Sequence, residues 1–211
     1  MGQRRAVSRK NVNGANTMDR LVEFARAEFR LHGSMGFSLD RVLRESGVAR
    51  SSFYHHFGDR SSIIALCQVE ELKESLRGDN EVLRLLVENS TSGTDLFSLL
   101  EMRIMMNGEQ DQRMRRRQRM EMLVLAADNQ PLRERLGDAQ RKGTEFLVAT
   151  LEIATDRGLI APMVPLEEIA EVVQSMFMGR VFVDVLEGDE ASETVNRGTV
   201  AALRALVRPQ S

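Results

Sequence analysis

Several residue types are scarce in this chain of 211 residues, and each shortage excludes a class of protein. Cys67 is the single cysteine, so neither an intrachain disulfide nor a cysteine-based metal cluster can form. Four prolines, one tyrosine and no tryptophan leave a sequence rich in Ala, Leu, Glu, Arg and Met, which favours helices over strands. These shortages predict an all-α protein.

Long apolar runs are also missing. The longest candidate, residues 169–186, is interrupted by Glu171, Gln174, Arg180 and Asp184, and no run approaches the roughly 20 residues of a membrane span. The polar, basic residues 1–16 lack the apolar segment of a secretion signal. We therefore expect a cytoplasmic protein that does not associate with a membrane.

Charge is distributed unevenly along the sequence. Residues 1–60 contain eleven Lys/Arg and six Asp/Glu, a net charge of +5, so the remainder carries −7 to give the overall −2. A basic segment attached to an acidic body suits a protein whose first part binds nucleic acid.

Hydrophobic spacing predicts about nine to ten helices separated by polar or glycine-containing breaks. The predicted helices cover residues 17–31, 39–46, 49–57, 61–76, 81–88, 94–106, 110–127, 131–157, 166–186 and 190–207.

Residues 38–57 have the pattern of a helix-turn-helix. Ser38 can cap a helix of about two turns that ends at Gly47, a residue able to take the left-handed conformation that a tight turn requires. Val48 can fill the corner between the two helices. Phe53 and Phe57 are four residues apart, so both lie on the face of the second helix that packs against the core. The outward faces of that second helix are predicted to carry Arg50, Ser51, Ser52, Tyr54 and His55, which suit phosphates and base edges.

Arg60 lies at the predicted start of the following helix. A cation opposes the helix dipole at that end unless an anion is present, and a DNA phosphate would supply one.

The string FSLDRVLRESGVARSSFYHHFGDR, residues 37–60, resembles the DNA-binding signature of TetR-type regulators. In that family a glycine-valine turn precedes a helix that ends in Tyr-x-His-Phe, and a short turn and a lysine follow. Arg60 occupies the lysine position here, which keeps the charge. The resemblance covers about residues 21–66.

The resemblance implies DNA contacts from the recognition helix, a helix start at Ser38, and a phosphate contact from Arg60. The implied contacts of the recognition helix are Arg50, Ser51, Ser52, Tyr54 and His56. Which of His55 and His56 faces DNA is left open, as is a purely structural role for Tyr54 and His56 in packing and capping the helix end. Neighbouring residues on a helix point about 100° apart, so the two histidines predict no metal site.

Residues 1–16 are polar, basic and rich in Asn, Arg and Ser, which predicts a flexible arm. The resemblance also implies a three-helix DNA-binding head at residues 17–60. Residues 61–211 would then form a helical body for effector binding and dimerisation. Helix 166–186 is apolar nearly all round and helix 190–207 along one face, so both need covering by other helices. The candidate dimer-interface residues are Val173, Phe177, Val181, Val195, Leu203 and Leu206; a purely intramolecular core is the alternative.

A candidate effector pocket lies in the middle helices, where flexible Met and other apolar side chains could adapt to an apolar ligand. It comprises Phe97, Leu100, Met102, Met105, Met106, Met120, Leu123 and Phe146, with ordinary core packing as the alternative. The basic run 113–119 suggests an anion or DNA contact, or a solvated face.

No phosphate-binding loop, activated nucleophile or paired-carboxylate motif is present in the sequence, so we expect neither an enzyme nor a cofactor. The sequence predicts a ligand-responsive repressor that binds a pseudo-palindromic operator as a homodimer and is released by a small, largely apolar effector. Two alternatives are an enzyme or ligand-binding helical protein that uses the head for structure only, and an effector-independent DNA-binding or protein-interaction module.

Overall fold

The computed structural model describes the backbone of residues 6–106, 110–186 and 190–210, and the side chains of residues 17–106, 112–186 and 190–210. Over these residues the chain forms nine α-helices and no strand, which confirms the all-α prediction. None of the described helices is long and apolar enough to cross a membrane. The helices are α1 (Ala6–Gly36), α2 (Leu39–Ser46), α3 (Arg50–Phe57), α4 (Arg60–Asn89), α5 (Gly93–Met105), α6 (Gln110–Ala127), α7 (Gln130–Asp156), α8 (Leu166–Gly179) and α9 (Glu190–Val207).

The chain divides into two compact units between Glu71 and Leu72, inside α4. The core of the first unit joins one face of α1, both short helices and the start of α4. Ile63, Ile64 and Cys67 complete this core, so the unit extends beyond residue 60, where the sequence suggested its end. Its fully buried members are Leu21, Ala25, Phe53, Ile63 and Cys67.

The start and end of α1 differ from the prediction. The helix begins at Ala6 rather than Thr17, so Thr17 lies inside the helix instead of capping it. Near the other end, Gly33 has a φ of 62° and a ψ of −175°, which interrupts the helical geometry. Residues 1–5 of the predicted arm lie outside the described residues.

One continuous helix, α4, replaces the two helices predicted on either side of Gly78. An interior glycine costs about 1 kcal/mol relative to alanine, and contacts with α7 on both sides of Gly78 favour continuity. Leu76 packs against Gly143, where a Cβ atom would lie 3.2 Å from its side chain. Asn80 donates to the carbonyl of Gly143 at 3.4 Å. Tertiary packing therefore outweighs the local helix-breaking signal.

The second unit has a separate core formed by α4, α5, α7, α8 and α9 with the loop after α7. Its buried members are Val87, Leu96, Phe97, Ala154, Leu159, Ile160, Ile169 and Val207. The predicted helix 166–186 is wrong in its last part, because α8 ends at Gly179 and a short 3₁₀ turn, Arg180–Phe182, follows. The break coincides with a glycine and with Arg180 and Asp184, whose side chains turn inward to polar partners.

Candidate nucleic-acid interface

The first helix of the predicted motif, α2, is capped at both ends as its sequence suggests. The Ser38 hydroxyl accepts a hydrogen bond from the backbone N–H of Arg41 at 3.4 Å. Asp40 in the first turn and Arg44 in the last turn both complement the helix dipole. The helix ends at Gly47, whose φ of 68° places it in the left-handed region that glycine tolerates best.

The corner between α2 and α3 is packed and hydrogen-bonded. Val48 is buried, as predicted for the residue that fills the corner. The hydroxyl of Ser46 is also buried; it donates to the Leu43 carbonyl and accepts from the N–H of Val48, both at 3.4 Å. Arg20 of α1 donates to the Ser46 carbonyl. These contacts fix the angle at which α3 leaves the turn.

The recognition-helix candidate, α3, is anchored along one face by aromatic side chains. Phe53 is completely buried, and Phe57 is half-buried and stacked on it at 5.5 Å between ring centroids. Tyr54 meets the edge of Phe53 at 5.2 Å but is itself exposed. The helix ends at Gly58, whose φ is 76° and whose N–H donates to the Tyr54 carbonyl.

The opposite side of α3 is polar and open to solvent. The side chains predicted to contact DNA that are exposed there are Arg50, Ser51, Tyr54, His55 and His56, while Ser52 is half-buried. Arg50 forms an ion pair with Asp40 of α2, and both side chains are more than half exposed. An exposed pair of this kind contributes little to stability, so Arg50 can exchange Asp40 for another anion at small cost.

Arg60 has partners within the chain. Its guanidinium donates to the carbonyl of Ser34 at 2.8 Å and to that of Phe37 at 2.9 Å, and it lies 5.7 Å from the centroid of the Phe37 ring. The Asp59 carboxylate accepts from the N–H of Ser62 at 2.7 Å, and that backbone hydrogen bond lowers the pKa of Asp59. Asp59 therefore supplies the anion at the start of α4, and the phosphate contact of Arg60 stays a prediction.

A buried carboxylate that the sequence analysis missed connects α1 to α2. Glu28 is 5% exposed, and its two oxygens accept from the N–H of Ser38 at 2.9 Å and from the Arg41 guanidinium at 3.2 Å. The signal was present in the sequence, because Glu28 follows Leu21 by seven residues and Ala25 by three and so lies on the apolar face of α1. An acid in that position requires partners from the neighbouring helix.

The three imidazoles do not converge. The rings of His55 and His56 are 5.2 Å apart and nearly perpendicular on exposed α3, whereas His32 contacts Arg41 and Glu28 near the end of α1. Within the described residues, no group of three or more His, Cys, Asp or Glu side chains has an arrangement suited to a metal ion.

Comparisons with known proteins bear on the same segment. Residues 21–67 match the family model described as bacterial regulatory proteins, tetR family. The match covers α2, α3 and the turn between them, and it shows similarity to the tetR family over this segment of the chain. The HTH-type transcriptional regulator LmrA of Bacillus subtilis (strain 168) is 31% identical over 62 residues, which cover 29% of this chain and 33% of LmrA. The chain thus spans about a third of the length of that curated relative.

Solved structures of TetR-family proteins resemble the chain over most of its length. A TetR-family regulator from Mesorhizobium loti aligns with a TM-score of 0.61 and 18% identity, covering 92% of this chain and 98% of its own. A TetR-family regulator from Cytophaga hutchinsonii aligns with a TM-score of 0.61 and 14% identity, covering 94% and 98%. At these identities the likeness establishes the fold of a TetR-family protein and no shared ligand.

The structure does not gather the effector-pocket candidates around one enclosed space. Phe97 is buried in the core of the second unit, and Leu100 and Met120 are half-buried. The remaining candidates are exposed: Met102, Met105, Met106, Leu123 and Phe146. A cavity of about 40 Å³ is lined by Arg77, Asn80, Glu81, Arg84, Phe146 and Thr150, so it includes one of the predicted residues.

The dimer-interface candidates are half-buried within a single chain. Val173, Leu203 and Leu206 pack against the core of the second unit, while Phe177, Val181 and Val195 are also partly covered. Exposed apolar side chains lie beside them in the sequence, at Phe182, Val185 and Leu186.

Proposed function

We propose that this chain is a transcriptional repressor of the TetR family rather than an enzyme, and that it binds a pseudo-palindromic operator as a homodimer. In this proposal α3 of each subunit enters the major groove, and a small effector bound by the second unit releases the DNA. The observation that carries the proposal is the two-sided character of α3.

The two sides of α3 suit recognition of a DNA groove. Phe53 fixes the helix to the core, so the exposed face is held rigidly and its side chains need little ordering on binding. Arg50 and Ser51, in the first turn, are placed where a helix contacts phosphates and base edges, and Tyr54 follows one turn later. His55 and His56 are also exposed, and we include both among the proposed DNA contacts.

The basic residues that precede the head lie close together in the sequence. Of the eleven cations in residues 1–60, four lie within the first ten residues, at Arg4, Arg5, Arg9 and Lys10. We assign to these four the sequence-independent attraction to phosphates, and to α3 the reading of base edges. Neutralising all four should flatten the salt dependence of binding by up to about 0.9 of a log unit per charge.

Dimerisation is assigned to α8 and α9. A helix pair with half-buried Val173, Phe177 and Leu203 leaves apolar surface that a second copy would cover through a symmetric four-helix contact. Two heads held at a fixed spacing then match two half-sites about one DNA turn apart.

The effector is assigned to the second unit, where flexible Met side chains are exposed on α5. The 40 Å³ cavity is far smaller than the roughly 300 Å³ of a site for a drug-sized ligand. In this proposal the middle helices rearrange to enlarge this space around a largely apolar effector, and that change alters the spacing of the two heads in the dimer.

Selection of genomic fragments by the purified protein tests the proposal. We expect enrichment of a pseudo-palindromic sequence, with one dimer per site in sedimentation, and loss of enrichment for Arg50→Ala and Tyr54→Ala. Arg141→Ala is the matched control, since Arg141 is an exposed arginine on α7 whose side chain is 69% accessible. Recovery of random fragments by the wild type would contradict the proposal.

A further inference from the structure

A cluster of guanidinium groups that includes the buried Arg180 lies in the second unit. Arg180 is 1% exposed, and Arg116 is 9% exposed. The charges of Arg113 and Arg116 both act unfavourably on Arg180, and the carboxylate of Asp184 acts favourably on it. Arg180 is therefore a buried cation with two further arginines and one carboxylate nearby in the described part of the chain.

The four groups are not equally satisfied. Arg116 holds Asp184 with two parallel hydrogen bonds, from Nε to one oxygen at 2.6 Å and from Nη2 to the other at 2.7 Å. Arg180 uses Nη1 to donate to the side-chain oxygen of Asn196 on α9. Its Nε and Nη2 are fully buried and have no hydrogen-bond partner among the described residues.

The unpartnered atoms of Arg180 form a specific recognition edge. Nε and Nη2 lie on the same side of a guanidinium and present two parallel N–H groups that match the oxygens of a carboxylate or phosphate. Arg116, in the same cluster, uses this edge to bind a carboxylate. The same edge of the guanidinium therefore binds a carboxylate in Arg116 and has no partner among the described residues in Arg180.

Burying a guanidinium without a counterion costs folding free energy, and arginine stays protonated in proteins, so deprotonation does not remove that cost. Burial, together with the neighbouring charges of Arg116 and Arg113, lowers the pKa of Arg180, and Asp184 offsets this only in part. An added anion would pair with Arg180 and reduce the mutual repulsion of the arginines.

We propose that Arg180 and its neighbouring arginines form a binding site for a small oxyanion, a carboxylate or phosphate group, carried by the effector. Asn196 orients the Arg180 guanidinium by accepting its hydrogen bond, and Asp184 holds Arg116 through its two hydrogen bonds. The effector is then amphipathic, with an anionic group at the arginines and an apolar remainder. The link to DNA release rests on the proposed function, whereas anion binding does not.

Thermal unfolding of the full chain without DNA tests the site, with inorganic phosphate, sulfate and acetate compared with chloride at matched ionic strength. We expect the oxyanions to raise the Tm in a saturable manner, by about 5–10 °C at a hundredfold excess over Kd. Phosphate and acetate as separate arms distinguish a phosphate site from a carboxylate site. Equal responses to oxyanions and chloride would overturn the proposal.

Arg180→Met separates a binding role from a structural one. Methionine fills the space without the charge, so this variant should be at least as stable as wild type without anions and should lose the oxyanion response. Arg197→Met, which removes an exposed arginine of α9, should retain that response. An unchanged response in Arg180→Met would overturn the proposal.

A third variant tests whether the chain supplies its own counterion. Glu187 and Asp189 follow closely in the sequence and lie outside the described residues. If the double substitution Glu187→Gln, Asp189→Asn creates an oxyanion response that wild type lacks, one of these carboxylates occupies Arg180 and the proposal is wrong. Failure of the chain to bind DNA would leave all of these measurements intact, so the two proposals fail separately.

Discussion

The two units of the molecule differ in how much apolar surface they expose. Among the described side chains of the first unit, the exposed large apolar ones are few: Leu31, Met35 and Tyr54. In the second unit, many Met, Val, Leu and Phe side chains are exposed between α4 and the turn after α8. Each unit also has a buried polar group without a hydrogen-bond partner among the described residues, Oε1 of Gln68 in the first and one edge of the Arg180 guanidinium in the second.

This contrast agrees with the proposed function. A unit that presents α3 at one fixed angle gains from rigid internal contacts. A unit that binds a second copy and a ligand, as we propose for the second one, keeps apolar surface available for them. The family model matches only residues 21–67, so the recognisable sequence lies within the first unit.

The largest expected effect comes from removing the aromatic anchor of the head. Phe53→Ala deletes a fully buried ring from the core that joins α1, α2, α3 and α4, and should destabilise the first unit by about 3–5 kcal/mol. Urea unfolding followed by circular dichroism measures the loss, with Ser51→Ala, an exposed neighbour, expected within about 0.5 kcal/mol of wild type. Equal stabilities for the two variants would contradict the proposed anchoring role.

Gly93→Ala is the corresponding test in the second unit. A Cβ atom at Gly93 would lie 2.1 Å from the Leu159 carbonyl oxygen and 2.3 Å from the backbone nitrogen of Gln210, and the N–H of Gly93 donates to the Gln210 carbonyl at 2.8 Å. Because backbone atoms must move, we expect destabilisation of about 1–3 kcal/mol or more in thermal unfolding.

Gly78→Ala is its matched control and also tests the continuity of α4. No atom lies within 4 Å of a Cβ atom at Gly78, which sits inside the helix. Alanine should therefore stabilise the protein by about 0.5–1 kcal/mol. Destabilisation by this substitution would support the two separate helices that the sequence suggested.

The buried carboxylate of the head should matter more than exposed acids near it. Glu28→Ala leaves the N–H of Ser38 and the guanidinium of Arg41 without their acceptor, which should cost about 1–3 kcal/mol. Glu45→Ala, at an exposed position of α2, should be close to neutral in the same unfolding assay. A neutral Glu28→Ala would show that the first unit does not depend on this connection.

Cys67 provides a chemical test of the rigidity of the head. Burial raises the pKa of Cys67 to about 12 from the model-compound value of 9.0, outweighing the opposing charge of Arg26. At pH 8 the native thiolate fraction, and with it the alkylation rate, should be about a thousandfold below that of the unfolded chain. Rapid labelling by iodoacetamide under native conditions would mean that the core opens easily.

The raised pKa of Cys67 should also make the folded protein less stable at high pH. Above pH 9 the unfolded chain loses the Cys67 proton while the folded chain keeps it, so stability should fall between pH 9 and pH 12. Cys67→Ala removes this contribution and should show a shallower decline. Parallel pH profiles for the two proteins would contradict the assigned pKa direction.

The sequence predicted most where local signals and burial agree. Ser38, Gly47 and Phe53 each have one role that their chemistry dictates, and the structure places them as a cap, a left-handed turn and a core ring. The sequence predicted less where tertiary contacts decide whether a helix continues or ends. Gly78 does not break α4, because Leu76 and Asn80 contact α7 on either side of it.

The polar core of the body could not be derived from periodicity. Arg180 and Asp184 were recognised as interruptions of an apolar stretch, but their partners, Asn196 and Arg116, lie on other helices that only the folded chain brings near. The Met and Phe side chains predicted to line a pocket had the right chemistry for a ligand. Their exposure depends on how α5, α6 and α7 pack, which local spacing does not specify.

We propose that α3 of the first unit reads DNA sequence, and the ratio of operator affinity to random-duplex affinity tests this role most directly. With the selected operator, Tyr54→Ala should reduce this ratio by about tenfold or more, as expected for a side chain that contacts bases. Arg141→Ala, on α7, should leave both affinities unchanged. If Tyr54→Ala and Arg141→Ala gave the wild-type ratio across a salt series, α3 would not be the reading element.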